Sequence, residues 1–137
     1  DEVEGEVPPS LLGGSLFRLG PGKFERGGVR YQHVLDGDGF MLKIDLNKGG
    51  SKHRVTGKFV ETHWFKDEDE DDLIKYRNTF GTQAPDLMSN MMNLELKNSA
   101  NTNGCYWGGK LHALWEAGAP HELDPDTLET KGASDMG

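Results

Sequence analysis

The sequence predicts an all-β protein of short strands joined by tight turns, and three observations support this. Glycine makes up 19 of 137 residues, about twice its usual share of ~7%, and it is costly in helices but useful in turns. Apolar and polar residues alternate over residues 40–46, as in a half-buried strand. Short apolar segments recur between turn residues, which is typical of sandwiches, barrels and propellers.

Six strands are predicted in chain order. They cover residues 15–19, 31–35, 40–46, 53–62, 105–107 and 111–116. The second and third strands flank the Asp-Gly-Asp-Gly sequence at 36–39, so we expect them to form a hairpin. A turn at 47–51 leads into the fourth strand. The last two strands flank the Gly-Gly-Lys sequence at 108–110, which predicts a second hairpin.

Two segments of this single predicted domain, residues 1–137, carry no strand signal. The net charge of −8 comes mostly from six consecutive acidic residues at 67–72, and we expect residues 66–72 to form a solvated acidic loop. Residues 83–100 show no sustained periodicity although they contain several leucines and methionines, and they are predicted to be a flexible loop. The type of structure over residues 73–82 is left open.

Composition excludes several classes of function. The chain has no basic patch that could follow a phosphate backbone, so we expect no nucleic-acid partner. No apolar run approaches the roughly 20 residues of a transmembrane helix. Cys105 is the single cysteine, which excludes an internal disulfide and a thiolate metal cluster.

Five sequence blocks carry a family resemblance. They are GEVP at 5–8 with LGGSLFRLGPG at 12–22, LDGDGF at 35–40, FGT at 80–82, NTN at 101–103 with LHALWE at 111–116, and ELDPDTLET at 122–130. Within the last block, Asp124-Pro125 is a favourable start for a type I turn. In this order the blocks resemble those of the carotenoid cleavage oxygenases, also called the carotenoid oxygenase or retinal pigment epithelial membrane protein family.

The resemblance implies a fold and a chemistry for the protein to which these residues belong. Members are seven-bladed β-propellers, of which this chain resembles the first blades. Four histidines from different blades hold a non-haem Fe(II), and O2 is used to cleave a polyene double bond of a carotenoid or apocarotenoid into two carbonyl products. The resemblance leaves the compartment open between plastid and cytoplasm, with peripheral membrane contact as a further expectation.

The five histidines of the chain do not match the iron ligands of the family. They are His33, His53, His63, His112 and His121. None lies in the family's iron-binding motifs, the first of which, Ala-His-Pro, is expected just beyond Gly137. We therefore expect this chain to contain neither catalytic residues nor metal ligands, and to be inactive by itself as an N-terminal fragment of the enzyme.

Two residues are candidates for the site. Glu116 ends a predicted apolar strand, where a carboxylate is costly unless it is paired. It matches a family glutamate that accepts a hydrogen bond from an iron-ligating histidine, the usual task of a carboxylate behind a metal ligand. Phe80 matches an aromatic residue that lines the substrate tunnel in some members, although a plain core position fits it equally well.

Two other functions remain open at this point. The protein could be a retinoid isomerase of the same superfamily, with the same scaffold and iron but different chemistry. It could also be a truncated, non-catalytic module that binds an apolar ligand or another protein. The apolar residues of 83–100 fit an entrance for membrane-dissolved substrate, and they fit disorder equally well.

Overall fold

The structure is a computed structural model that describes residues 5–47 and 52–136. These residues are mostly β, with few helices, which confirms the predicted fold class. The strands are β1 Ser15–Lys23, β2 Glu25–Arg26, β3 Val29–Arg30, β4 Asp38–Asp45, β5 Arg54–Phe59, β6 Asn103–Trp107, β7 Lys110–Leu114, β8 His121–Leu123 and β9 Thr130–Ala133. The α-helices are α1 His63–Asp71 and α2 Leu87–Met92, and short 3-10 helices cover Pro9–Leu11 and Val34–Asp36.

The strands form two larger antiparallel sheets and a small ribbon. One sheet has the order β1-β4-β5, the other β6-β7-β8-β9, and β2 pairs only with β3. Strand alternation turns one face of each sheet towards a common core. That core contains Met41 of β4, Leu111 and Ala113 of β7, and Leu123 of β8, all completely buried.

The predicted hairpin at residues 108–110 is confirmed. Trp107 of β6 pairs with Lys110 of β7, so the loop between them is Gly108-Gly109. Both glycines have positive φ, at 58° and 79°. A two-residue hairpin loop favours this left-handed backbone because it matches the twist of the flanking strands.

The predicted hairpin across residues 36–39 is wrong. Residues 31–35 form no strand, and a 3-10 helix begins at Val34 instead. Strand β4 begins at Asp38 and pairs with β1 and β5. The reason is that the side chains and backbone of residues 36–39 bind distant segments, as described below, rather than closing a local turn. The expected turn at 47–51 falls largely outside the described residues.

The acidic run was predicted to be a loop, and this prediction is also wrong. Residues 63–71 form helix α1, whose first turn is capped by Thr62: its Oγ1 accepts a hydrogen bond from the Phe65 backbone N–H at 3.1 Å. Phe65 and Glu68 face inward and are buried. Glu68 can be buried because two cations reach it there.

Residues 83–100 are more ordered in structure than their composition suggested. They contain the short helix α2, capped by Asp86, whose carboxylate accepts the Ser89 N–H at 2.8 Å. The end of the segment, from Lys97 to Ala100, is buried. Neither α1 nor α2, nor any other helix in the described ranges, has the length and apolar composition of a bilayer-spanning segment.

Candidate functional site

A cavity of about 180 Å³ gathers most of the sequence blocks singled out above, and we call it the motif cavity. It is lined by Leu19, Gly20, Pro21, Leu35, Phe80, Asn101, Thr102, Trp115 and Glu116. These residues come from the first strand, the DGDG block, the FGT block, the NTN block and the LHALWE block. Segments up to about 100 residues apart in sequence therefore meet at one place.

Glu116 is one of the residues that line the motif cavity. Strand β7 ends at Leu114, two residues earlier than predicted, and Trp115 leads from it into a turn that begins at Glu116. The carboxylate is exposed rather than enclosed by apolar neighbours. Within residues 5–47 and 52–136 it has no hydrogen-bond or ion-pair partner, so both oxygens are free to accept a donor.

Phe80 forms another wall of the same cavity, so both predicted site residues lie together. Its ring stacks on His33, with centroids 4.8 Å apart, and half of the residue remains exposed. Its backbone N–H donates to Asp36 Oδ1 at 2.8 Å, and the Thr82 N–H donates to Asp36 Oδ2 at 3.0 Å. Phe80 is therefore a cavity residue and not a plain core residue.

The segment carrying Asn101 and Thr102 is held against the start of β4. Asn101 Nδ2 donates to the carbonyl oxygens of Leu35 and Gly37, each at 2.7 Å. The Gly39 N–H donates to the Ser99 carbonyl at 2.8 Å. A Cβ atom on Gly39 would overlap the backbone of Ala100, so only glycine allows this approach.

Four fully buried charged side chains meet around Asp38, at the start of β4, and we call them the buried charge cluster. They are Arg26, Asp38, Glu68 and Lys97. Lys97 Nζ lies 2.5 Å from Asp38 Oδ1 and 2.6 Å from Glu68 Oε2. Arg26 Nη2 lies 3.0 Å from Asp38 Oδ2, and its Nε lies 3.3 Å from Glu68 Oε2. Each charge thus has at least two opposite partners, as burial requires, and Arg26 Nη1 also lies 2.8 Å from Asp69 Oδ1.

Tyr31 completes the cluster as a neutral hydrogen-bonding group. Its hydroxyl donates to Asp38 Oδ2 at 3.1 Å and accepts from Arg26 Nε at 3.1 Å. Burial and the adjacent Asp38 and Glu68 raise the pKa of Tyr31 far above its usual range. Burial acts to lower the pKa of Arg26, but Asp38 and Tyr31 outweigh it and raise that pKa overall. Sequence reasoning missed this cluster because its members are scattered over 72 positions.

The described residues do not fit an iron site. No group of three or more His, Cys, Asp or Glu side chains in these ranges is placed to hold a metal ion. His112 and His121 are buried in strands β7 and β8. Burial lowers the pKa of His121, and the nearby His63 lowers it further. An iron held beside Glu116 would need ligands from residues other than these.

A second, larger concavity is lined by segments that precede and follow the FGT block in sequence. It has a volume of about 550 Å³ and is lined by residues of 73–75 and 84–89 together with Asn93. Next to it, Leu87, Met88, Met91 and Leu94 are between 70% and 75% exposed. We call these four residues the apolar patch. Such an exposed group of apolar side chains is uncommon on a protein surface unless it meets a ligand, a partner or lipid.

Comparison with known proteins gives consistent results over the whole chain. The model of the family described as retinal pigment epithelial membrane protein matches residues 1–137. The chain is 42% identical to apocarotenoid-15,15'-oxygenase of Synechocystis, covering 100% of this chain and 28% of that protein. It is 35% identical to the chloroplastic carotenoid cleavage dioxygenase 7 of rice, covering 98% of this chain and 22% of that protein.

Among solved structures, the chain is similar to cobalt-substituted Synechocystis apocarotenoid oxygenase. The TM-score is 0.90 with 40% identity, covering 98% of this chain and 28% of that structure. This likeness confirms the predicted fold, a part of a seven-bladed β-propeller. The chain therefore spans between 22% and 28% of the length of these relatives.

Proposed function

The chain belongs to the retinal pigment epithelial membrane protein family, and from that membership we propose that it is the N-terminal part of an iron-dependent oxygenase that cleaves a carotenoid or apocarotenoid. Its relatives include an apocarotenoid oxygenase and a carotenoid cleavage dioxygenase. In the proposed reaction, iron and O2 together cleave a double bond of the polyene. Because the described residues contain no metal ligand set, the 137 residues alone are expected to hold no iron and to show no cleavage.

The observation that supports this proposal best is the convergence of the sequence blocks on the motif cavity. Phe80 and Trp115 give it aromatic lining residues, and Glu116 adds a carboxylate to its lining. The mainly apolar walls suit one segment of an extended hydrocarbon, and a volume of about 180 Å³ holds only part of such a molecule. Each of these residues belongs to one of the sequence blocks that carry the family resemblance.

Glu116 is proposed to orient an iron-ligating histidine supplied by the rest of the protein. Its carboxylate is exposed and its oxygens are free within the described part of the chain. A carboxylate in this position accepts the N–H of one ring nitrogen, which leaves the other nitrogen to bind metal and makes it more basic. Glu116 would thus hold a ring in place without touching the metal.

The test is Glu116→Gln in the full-length protein, with iron content and turnover of an apocarotenal as readouts. Glutamine keeps the size and one acceptor but removes the charge, so we expect about a 10–100-fold loss of iron affinity or activity. The matched control is Glu129→Gln, which removes the same charge at an exposed position near Lys58. The control should keep wild-type iron and turnover.

Three results would contradict the proposal at different levels. If Glu116→Gln retains wild-type iron content and turnover, Glu116 has no role at the metal. If the wild-type protein holds iron but converts a retinoid ester without cleavage, the isomerase alternative is correct. A full-length protein without iron or turnover would favour the non-catalytic alternative.

The apolar patch supports a further part of the proposal, contact with a membrane surface. Carotenoids are dissolved in lipid, so an enzyme that uses them benefits from extraction at the bilayer. Leu87, Met88, Met91 and Leu94 present unbranched or γ-branched side chains that adapt to an irregular apolar environment. They lie beside the larger concavity, whose lining includes residues 84–86, a few positions after Phe80.

A further inference from the structure

Asp36 makes an unusual pair of contacts for a residue in a predicted turn. It is 1% exposed, and each carboxylate oxygen accepts one backbone N–H from the FGT block, at 2.8 Å from Phe80 and 3.0 Å from Thr82. It is separated from these residues by more than 40 positions. A charged acceptor shared between two main-chain donors is among the stronger hydrogen-bond arrangements.

Besides Asp36, the FGT block is held by the Asn78 N–H, which donates to the Thr82 carbonyl at 2.8 Å. Gly81 has a φ of 107°, a conformation that side chains other than glycine rarely adopt. The Thr82 Oγ1 accepts the Gln32 N–H at 2.8 Å, which ties the same turn to the segment before Asp36. If Asp36 is removed, two N–H groups lose their acceptor, and the buried one at Thr82 has no water to replace it.

We propose that Asp36 is a positioning residue that fixes Phe80 as a wall of the motif cavity, and that this wall helps to determine which polyene length is accepted. This inference rests on the proposed function for its substrate class. Asp36 does not line the cavity and acts through the main chain of Phe80 and Thr82. The His33 ring also contacts Phe80 by stacking on it.

The experiment compares Asp36→Asn, Phe80→Leu and their double variant in the full-length protein. Asparagine offers one oxygen and one NH2 group, so one of the two backbone N–H groups then faces another donor. The readout is kcat and KM for a series of apocarotenals of increasing polyene length. We expect Asp36→Asn to change the ratio of kcat/KM between the longest and shortest substrates by about tenfold, mainly through KM.

The double variant tests whether Asp36 acts through Phe80. If it does, Asp36→Asn adds little to the substrate profile once Phe80 is leucine, because coupled residues are not additive. Asp38→Asn is the matched control: it is equally buried in the same four-residue block, but it contacts Arg26 and Lys97. We expect it to lower the unfolding temperature and to leave the substrate profile unchanged.

Hydrogen exchange of the Phe80 and Thr82 amides gives a readout that does not depend on activity. Exchange should be faster in Asp36→Asn than in the wild-type protein. An unchanged substrate profile, or effects that multiply in the double variant, would overturn the inference. If the wild-type protein cleaves no apocarotenal, the proposed function fails, and unchanged amide exchange in Asp36→Asn would then overturn the inference separately. If Asp36→Asn does not fold, Asp36→Ser replaces it. Serine has a shorter side chain, and its single hydroxyl can rotate to accept a hydrogen bond.

Discussion

At the scale of the residue, position in space matters more than residue type. Asp36 and Asp38 stand two places apart in one motif, and both are buried. Asp36 binds the backbone of Phe80 and Thr82, whereas Asp38 binds Arg26 and Lys97. The carboxylate of Asp36 thus positions a cavity residue, whereas the carboxylate of Asp38 balances buried positive charge.

Buried His121 provides a pH-dependent contribution to stability. Burial, followed by the charge of His63, lowers its pKa below the ordinary value of 6.5. The unfolded chain therefore binds a proton near pH 6.5 that the folded protein does not yet bind, and stability falls as pH drops below about 6.5 towards the lower folded pKa. We expect the unfolding midpoint of His121→Gln to depend less on pH between about 5 and 7 than that of the wild-type protein.

The control for this prediction is His53→Gln, at an exposed position before β5. Denaturant unfolding of the full-length protein at a series of pH values supplies the midpoints. His53→Gln should retain the wild-type slope. Identical slopes for the wild-type protein and His121→Gln would show that His121 does not contribute to the acid sensitivity.

At the scale of the element, helix α1 is stabilised by charge as well as by apolar packing. Its inward face carries Phe65 and Glu68, and Glu68 Oε1 accepts the N–H groups of Lys75 and Tyr76 at 2.9 and 3.1 Å. Glu68 Oε2 meets Lys97 and Arg26. One side chain therefore fastens the helix, the segment after it and the ribbon β2-β3.

Replacement of Lys97 with methionine tests this arrangement. Methionine preserves much of the length but leaves Asp38 and Glu68 with Arg26 as their shared cation. Breaking a buried ion pair from one side costs about 3–5 kcal/mol, so the free energy of unfolding should fall by that order. Lys66→Met is the control, since Lys66 is exposed and lies 3.7 Å from Glu61; exposed pairs contribute little. Equal stability of the two variants would contradict the role of the cluster.

Sequence reasoning predicted the elements whose signals are local and missed those set by distant partners. The Gly108-Gly109 hairpin was predictable because turn type depends on its own two residues. Helix α1 was not predictable, because the sequence does not show that Arg26 and Lys97 pair with Glu68. Without these partners, Glu68 is indistinguishable from the solvated acidic residues around it. The cavity residues Phe80 and Glu116 came from family resemblance, whereas the role of Asp36 could be found only from the structure.

At the scale of the whole molecule, the surface is uneven in character. The core joins the two larger sheets, while the apolar patch on and after α2 is left open. Each of its side chains would contribute about 1.5–3 kcal/mol if it were fully removed from water. The patch is therefore large enough to drive the weak association with lipid proposed above.

We expect Leu87→Ser with Met91→Ser to weaken binding of the full-length protein to phosphatidylcholine vesicles by tenfold or more, as judged from about 1.5 kcal/mol per side chain. Vesicle flotation provides the measurement. Val55→Ser is the control, because Val55 is also an exposed aliphatic residue but lies on strand β5. An equal loss of vesicle binding in both variants would indicate non-specific hydrophobic adsorption. No loss of binding in either variant would exclude the patch as the contact surface.

The junction at residues 36–39 has a consequence for protein engineering. Its members bind the FGT block on one side and residues 97–101 on the other. If only one of these segments were exchanged between relatives, its hydrogen-bond donors and acceptors would no longer match those of the other two segments. A recombination library for altered substrate choice should keep its crossover points outside residues 33–39, 78–82 and 97–102, and should inherit all three from one parent.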